Sequence, residues 1–162
     1  MEHPSVFKFQ YINFTDSKKG YIMDLIVWSH IYSINDHTVD SQHQKLIGIL
    51  NDLHNLQSNN PDDSKINVIL DELVNYTLYH FATEEKLFQE HQYPEYTHHK
   101  AVHDKLVKDV QSYLALFKTQ DQTAKEKLMV FLSNWLKDHI LGDDKAFGLF
   151  LSKQAEFADD DL

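Results

Sequence analysis

Cysteine and arginine are both absent from this 162-residue sequence. Without cysteine, the chain can form neither disulfides nor thiolate metal sites. Every basic residue is lysine, and the formal net charge is −10. Proteins that bind nucleic acids need a basic surface and favour arginine for contacts to phosphates and guanine. We therefore set that class of function aside.

The sequence also lacks a long apolar run. No stretch approaches the roughly 18 apolar residues of a membrane-spanning helix. The beginning of the chain, MEHPSVFKFQYINF, has an acidic residue at its second position. It has no apolar run of the length that a secretory signal requires. We therefore expect no membrane association and a cytoplasmic location.

Glycine and proline are scarce, with four and three residues respectively, and this permits long uninterrupted helices. Apolar residues that recur three and four positions apart predict four helices. Asn35 or Asp36 is expected to cap the first, Pro94 to follow the end of the second, and Gly142 to end the fourth. The predicted helices cover approximately residues 38–56, 63–90, 95–117 and 124–141.

Four helices of this length joined by short turns predict an all-α fold, an antiparallel up-down-up-down four-helix bundle. The length of the chain suits one domain with a real core. We expect an N-terminal arm at residues 1–27, the bundle at 28–155, and a frayed acidic tail at 156–162.

Histidine is the compositional outlier, with 11 residues. In a four-helix bundle, the positions that face the core alternate three and four residues apart. Following these positions along each predicted helix places five histidines and one glutamate in the core, with at least one histidine from every helix. These residues are His43, His80, Glu84, His99, His103 and His139.

Each of these residues, taken alone, has an ordinary explanation. A His-x-x-x-Glu pair on a helix is usually solvated, and a single core histidine is usually just hydrogen-bonded. Together they are different, because each polar group buried without a partner costs a few kcal/mol. Imidazole and carboxylate are ligands of iron, zinc, manganese and copper, and five histidines exceed what one tetrahedral ion can use. The pattern indicates two octahedral metal ions that share bridging carboxylates.

The segments around these residues resemble the hemerythrin family in its single-domain bacterial form. The likeness covers approximately residues 28–150, and residues 1–22 have no counterpart in the bacterial pattern. Any one segment is weakly specific, whereas the combination is highly specific. The matching segments are VDSQHQKL, HFATEEKLF, YPEYTHHKAVH and NWLKDHILGDDK.

The resemblance implies a site for two iron ions bridged by hydroxide or oxide. Three histidines would hold one iron and two the other, which leaves a coordination position open for dioxygen, and two carboxylates would bridge the irons. The three histidines are His99, His103 and His139, the two are His43 and His80, and the carboxylates are Glu84 and Asp144.

The resemblance also implies an apolar pocket beside the open iron. Such a pocket would keep water away and would offer no acid or base for turnover. The leading function is therefore reversible dioxygen binding, for carriage, storage or sensing, rather than catalysis. Two alternatives stay open, a di-iron oxidoreductase acting on peroxide or nitric oxide, and an iron-sensing interaction module with an unknown protein partner. The expected pocket residues are Leu46, Phe81, Leu106, Trp135 and Ile140.

The helix that carries His139 presents a geometrical conflict. In a regular helix, Asp143 lies about 40° around the axis from His139, whereas Asp144 lies about 140° away. The resemblance nevertheless assigns the bridging role to Asp144. We therefore predict that the helix widens or breaks between Leu141 and Asp144, with Gly142 as the hinge. This distortion would aim Asp144 at the metals and turn Asp143 toward solvent.

Overall fold

The computed structural model of the protein describes residues 24–58, 63–117 and 122–160. Most of the predicted N-terminal arm, as far as residue 23, lies outside the described residues. The same holds for residues 59–62 and 118–121 of the predicted turns and for the last two residues of the predicted tail.

The described residues form helices and no strands, and four long helices pack as the predicted all-α bundle. Each of these four helices packs against the next in sequence, and α1 also packs against α4. A short 3-10 turn precedes α1, and a π-helical turn joins α4 to a fifth helix. The elements are the 3-10 turn His30–Tyr32, α1 His37–Ser58, α2 Asp63–Glu90, α3 Tyr96–Phe117, α4 Gln122–His139, the π turn Ile140–Asp144 and α5 Lys145–Asp160.

The predicted end of the fourth helix at Leu141 is wrong. The backbone continues through the π turn into α5, so residues 156–160 of the predicted tail are helical. The helix continues because Phe147 of α5 is fully buried against Phe88 and Tyr93. Gly142 does not take a positive φ angle, so it neither stops the helix nor acts through an unusual dihedral.

The segment before α1 is held against the bundle by hydrogen bonds. The backbone N–H and C=O of Ile26 pair with the Asn51 side chain at 3.0 and 2.8 Å, and Ile26 is buried. Asp36 is the cap of α1, since its Oδ1 accepts the N–H of Val39 at 2.9 Å. Asn35 takes a φ of 66°, a left-handed conformation that asparagine adopts more readily than most residues.

The first turns of α5 are fixed to the same segment. Lys145 donates a hydrogen bond to the carbonyl oxygen of Ser33. A Cβ atom at Gly148 would lie only 2.5 Å from the carbonyl oxygen of Ile34, so only glycine permits this close approach. Because α5 follows directly on the π turn, these contacts also fix the position of that turn.

Buried apolar residues form two clusters, and two of the predicted metal-ligand residues contact them: His99 packs against Phe88 of the smaller cluster, and His139 packs against Trp135, which lies on the larger one. The larger cluster occupies the interior of the bundle, and the smaller one lies between α5, the end of α2 and the segment before α1. None of the described helices combines the length and the apolar character needed to cross a membrane.

Candidate metal centre

The seven predicted ligand residues converge in the core of the bundle. All are buried, and the most exposed of them shows only 4% of its surface. Their ligand atoms form two groups, and within each group all the atoms lie within 4.8 Å of one another. Glu84 and Asp144 belong to both groups. The remaining members are His99, His103 and His139 in the first group, and His43 and His80 in the second.

Every helix of the bundle contributes to this centre. His43 comes from α1 and His139 from the end of α4. His80 and Glu84 are separated by one turn of α2, as are His99 and His103 by one turn of α3, so each pair shares one face of its helix. These faces meet only when the four helices are packed together.

The two carboxylates lie between the groups of histidines. Oδ1 of Asp144 is 3.0 Å from Nε2 of His99 and 3.1 Å from Nε2 of His139, whereas Oδ2 is 3.1 Å from Nε2 of His43.

Glu84 is similarly shared, since its Oε2 lies 3.4 Å from Nε2 of His80 and 3.3 Å from Nε2 of His103. Each carboxylate thus faces histidines of both groups, as a bridging ligand must.

These close approaches do not satisfy the groups involved. Both oxygens of Glu84 and both oxygens of Asp144 are buried and lack a hydrogen-bond partner among the described residues, as do both ring nitrogens of His43 and Nε2 of His80. Burying so many polar atoms without partners is strongly unfavourable. Nitrogen and oxygen lone pairs that converge in this way fit metal ions, and with no thiolate present the set suits iron, zinc or manganese.

The π turn resolves the conflict between Asp143 and Asp144. The predicted widening is confirmed, and it spans Ile140–Asp144. The Asp144 carboxylate joins the ligand groups with His103 and Glu84, whereas that of Asp143 does not. The prediction that Asp143 faces solvent is wrong, because its Oδ2 lies 3.2 Å from Nδ1 of His139 and its side chain is only 34% exposed. The wide turn therefore sets consecutive carboxylates on opposite nitrogens of one imidazole.

A chain of hydrogen bonds fixes the orientation of His80. The Thr83 hydroxyl donates to the carbonyl oxygen of Tyr79 at 3.1 Å, and the Gln42 amide nitrogen donates to the Thr83 hydroxyl at 3.2 Å. The Gln42 carbonyl oxygen must then face Nδ1 of His80, 3.0 Å away. Because this oxygen can only accept, Nδ1 carries the proton and Nε2 presents its lone pair to the centre.

Two further histidines each have a carboxylate beside Nδ1, the ring nitrogen that faces away from the centre. Glu85 Oε1 is 3.4 Å from Nδ1 of His103, and Asp143 occupies the equivalent place at His139. Sequence analysis missed the outer roles of Gln42, Glu85 and Asp143. Only Asp143 carried a signal, since it lies four residues after His139 and hence on the same helix face.

Burial and charge determine the protonation of the centre. Burial, helped by neighbouring histidines, lowers the pKa of His80 to about 3 and that of His103 to about 2. Both are therefore neutral imidazoles, the form that binds metals. Burial, followed by repulsion from Asp144, raises the pKa of Glu84 well above its usual value.

The opposite balance holds at Asp144 and His139. Burial alone would raise the pKa of Asp144, but the charge of His139 holds it well below its usual range. Burial likewise opposes a charge on His139, but Asp144 and Asp143 raise its pKa to about 9. A cation placed between the carboxylates of Glu84 and Asp144 would relieve their repulsion.

Aromatic rings pack against all three histidines of the first group. Phe88 lies 4.5 Å from His99, Phe81 stacks 3.6 Å from His103 in a nearly parallel plane, and Trp135 stacks 4.3 Å from His139. These distances join ring centroids. The packing restricts the planes of the imidazoles and so prearranges the donor atoms.

A small cavity of about 30 Å³ adjoins the centre and touches His80 and His139. Four of the five predicted pocket residues line it, and Ile140 is buried in the core but is not among the lining residues. The described residues that line it include no Asp, Glu or Lys, and the Thr77 hydroxyl donates to the carbonyl oxygen of Leu73 at 2.8 Å. The predicted members are Leu46, Phe81, Leu106 and Trp135, and sequence analysis missed Leu50, Leu73, Thr77, Leu132 and Leu136.

Comparison with known proteins gives consistent matches. The family model described as the hemerythrin HHE cation binding domain matches residues 35–149. A bacteriohemerythrin of Stenotrophomonas maltophilia is 38% identical over 125 residues, which cover 77% of this chain and 80% of that protein. A bacteriohemerythrin of Pseudomonas aeruginosa is 32% identical over 122 residues, which cover 75% of this chain and 78% of that protein. A crystal structure of a hemerythrin leucine-to-tyrosine mutant matches with a TM-score of 0.66 and 29% identity, covering 78% of this chain and 96% of that one.

Proposed function

The chain belongs to the hemerythrin family, and from that premise we propose that it is a non-heme di-iron protein that binds dioxygen reversibly for carriage, storage or sensing. The observation that carries this proposal is the pair of ligand groups that share Glu84 and Asp144. Both groups are buried, and within the part of the chain that the structure describes the shared carboxylates lack hydrogen-bond partners. Burying such an arrangement lowers the free energy of unfolding unless cations neutralise the carboxylates.

We assign one iron to His99, His103 and His139 and the other to His43 and His80, with both carboxylates as bridges. The second position offers one protein ligand fewer and would therefore leave room for an exogenous ligand. An iron pair held by these residues would supply two electrons to dioxygen and recover them on release. The residues of this chain hold the pair, orient its ligands and exclude water.

The cavity supports reversible binding over turnover. It touches His80 of the two-histidine group, and its walls are mainly leucine with Phe81 and Trp135. The volume of about 30 Å³ admits one small molecule. A general acid or base near the ligand would assist the turnover of a substrate, and apart from the imidazoles of His80 and His139 the described lining residues offer none. We therefore propose a binding protein rather than an enzyme.

The ligand set supports the same choice. Carboxylate-rich two-iron sites built from paired Glu-x-x-His motifs occur in ferritin-like bundles, and their negative charge favours higher oxidation states. Among the described residues, only Glu84 and Asp144 belong to both ligand groups and supply negative charge to them. A set of neutral histidines favours the diferrous state, which reversible binding requires. A cytoplasmic location would keep the protein in the reducing environment that maintains this state.

Absorption spectroscopy tests the proposal. The iron-loaded, reduced protein should gain a charge-transfer band in air, lose it under vacuum, and repeat the cycle. Irreversible conversion to diferric iron would instead support the oxidoreductase alternative. The absence of any band would support a metal with a structural or sensing role. Both of these results contradict reversible dioxygen binding.

A further inference from the structure

Three imidazoles of the centre have a partner on the ring nitrogen that faces away from it, and the partners differ in charge. Glu85 and Asp143 stand behind His103 and His139, whereas the uncharged amide of Gln42 stands behind His80. We propose that Glu85 and Asp143 are positioning residues that make the three-histidine position bind its metal more tightly than the two-histidine position. This inference rests on the metal assignment in the proposed function.

The geometry gives both carboxylates the same task. An ionised carboxylate only accepts hydrogen bonds, so Nδ1 of each histidine must carry a proton, and in the neutral imidazole that binds a metal Nε2 is then the bare nitrogen. Nε2 of His103 and Nε2 of His139 lie 3.0 Å apart, which places both lone pairs in the same ligand group. The carboxylates therefore select the tautomer that can bind a metal.

The charge of the acceptor adds a second effect. A hydrogen bond to an anion is stronger than one to a neutral amide and makes the imidazole a stronger electron donor. The three-histidine position has two imidazoles supported in this way. The two-histidine position has none among the described residues, because Gln42 is neutral and Nδ1 of His43 has no hydrogen-bond partner.

The two carboxylates should not contribute equally. The ammonium of Lys100 lies 3.8 Å from Glu85 and 2.8 Å from Asp104, so it offsets part of the charge behind His103. Asp143 has the shorter contact, 3.2 Å against 3.4 Å. We therefore expect the larger effect from Asp143.

Titration with Co²⁺ measures the two positions separately and does not involve dioxygen. The metal-free full-length protein is titrated by calorimetry and by the visible absorption of Co²⁺, which gives two stepwise dissociation constants. Asp143→Asn and Glu85→Gln keep the shape of each side chain and an acceptor oxygen but remove the charge. Glu90→Gln is the control, since Glu90 is an exposed acid that pairs with Lys86 on the surface of α2.

We expect Asp143→Asn to weaken the tighter step by about tenfold, at the lower end of the effects known for outer partners of metal ligands, and Glu85→Gln to weaken it by less. The dissociation constant of the weaker step should not change. In the Glu90→Gln protein, both dissociation constants should equal those of the unmodified protein. The paramagnetically shifted Nδ1–H resonances of His103 and His139 should move in the corresponding variant, a signature that a merely structural role would not produce.

Gln42→Glu tests the inference in the opposite direction, because it places a carboxylate behind His80. We expect the dissociation constant of the weaker step to decrease and that of the tighter step to stay the same. If this buried substitution prevents folding, as judged by circular dichroism, the other two variants decide the question.

Two results overturn the inference. Equal effects on both steps, or no effect of either carboxylate variant, would show that the outer charge does not distinguish the positions. If the unmodified protein binds fewer than two Co²⁺ ions, the metal pair itself is overturned, so the two failures are distinguishable.

Discussion

At the scale of single residues, Glu84 opposes folding unless a cation lies beside it. The side chain is fully buried, and neither oxygen has a hydrogen-bond partner in residues 24–58, 63–117 and 122–160. Burial and the nearby charge of Asp144 raise its pKa well above the usual value. The residue thus costs stability in the metal-free protein, and the proposed metal ligation would offset that cost.

Replacing Glu84 with methionine should therefore have opposite effects on the two forms of the protein. The free energy of unfolding of the metal-free form should increase by about 1–4 kcal/mol, the range seen when apolar side chains of similar volume replace buried ionic groups. The metal content should fall well below that of the unmodified protein. Urea unfolding in the presence of a chelator measures the first effect, and elemental analysis measures the second.

Glu90→Met is the matched control, because Glu90 also lies on α2 but pairs with Lys86 at the surface. Glu85 is unsuitable as a control, since it contacts Nδ1 of His103. A Glu84→Met protein that binds the normal amount of metal would contradict the bridging role. A loss of stability in its metal-free form would contradict the cost assigned to this carboxylate.

At the scale of helices, the sequence predicted the elements whose signal is local. The bounds of α2 agree with prediction. The core-facing positions of the four predicted helices identified every residue of the ligand groups except Asp144. The resemblance supplied Asp144, and helix geometry then required the π turn. The prediction of a helix end at Gly142 was wrong, although Phe147, Phe150 and Leu151 recur at helical spacing. Partners such as Gln42 could not be predicted, because their contacts depend on how one helix is rotated against another.

The two glycines around the π turn should respond differently to alanine. Gly148→Ala should lower stability and metal content, because the new Cβ would lie 2.5 Å from the carbonyl oxygen of Ile34 and would push α5 away. The Cβ of Gly142→Ala would meet no described atom within 4 Å beyond its chain neighbours and the nearby backbone of its own helix, and the variant should retain the metal, since this glycine has no positive φ.

Thermal unfolding and metal analysis of both variants provide the test. Ordinary stability and metal content in the Gly148→Ala protein would show that the close approach to Ile34 does not position the π turn. Loss of metal in the Gly142→Ala protein would show that the π turn requires glycine at position 142, as the hinge prediction stated.

At the scale of the whole molecule, all the proposed ligands lie between His43 and Asp144, inside the matched family segment at 35–149. The division into an arm at 1–27, a bundle at 28–155 and a tail at 156–162 stays a prediction. Its first boundary lies close to a structural contact, because Ile26 is buried and paired with Asn51.

Removal of residues 1–22 should leave metal binding unchanged, since the chain would still include Ile26 and its contacts. Removal of residues 1–27 should lower stability by about 1.5–3 kcal/mol, the value of burying one such side chain. Urea unfolding and metal content of the two shortened proteins distinguish the cases. Loss of metal in the shorter truncation would show that the first 22 residues belong to the bundle.

The most direct test of the central claim, that this core holds a pair of iron ions, is the metal content of the full-length protein. The protein should be purified from iron-replete cells and analysed for all transition metals against its concentration. Two ligand groups that share Glu84 and Asp144 predict close to two irons per chain. A stoichiometry near one, or a predominance of zinc, would contradict the two-iron site.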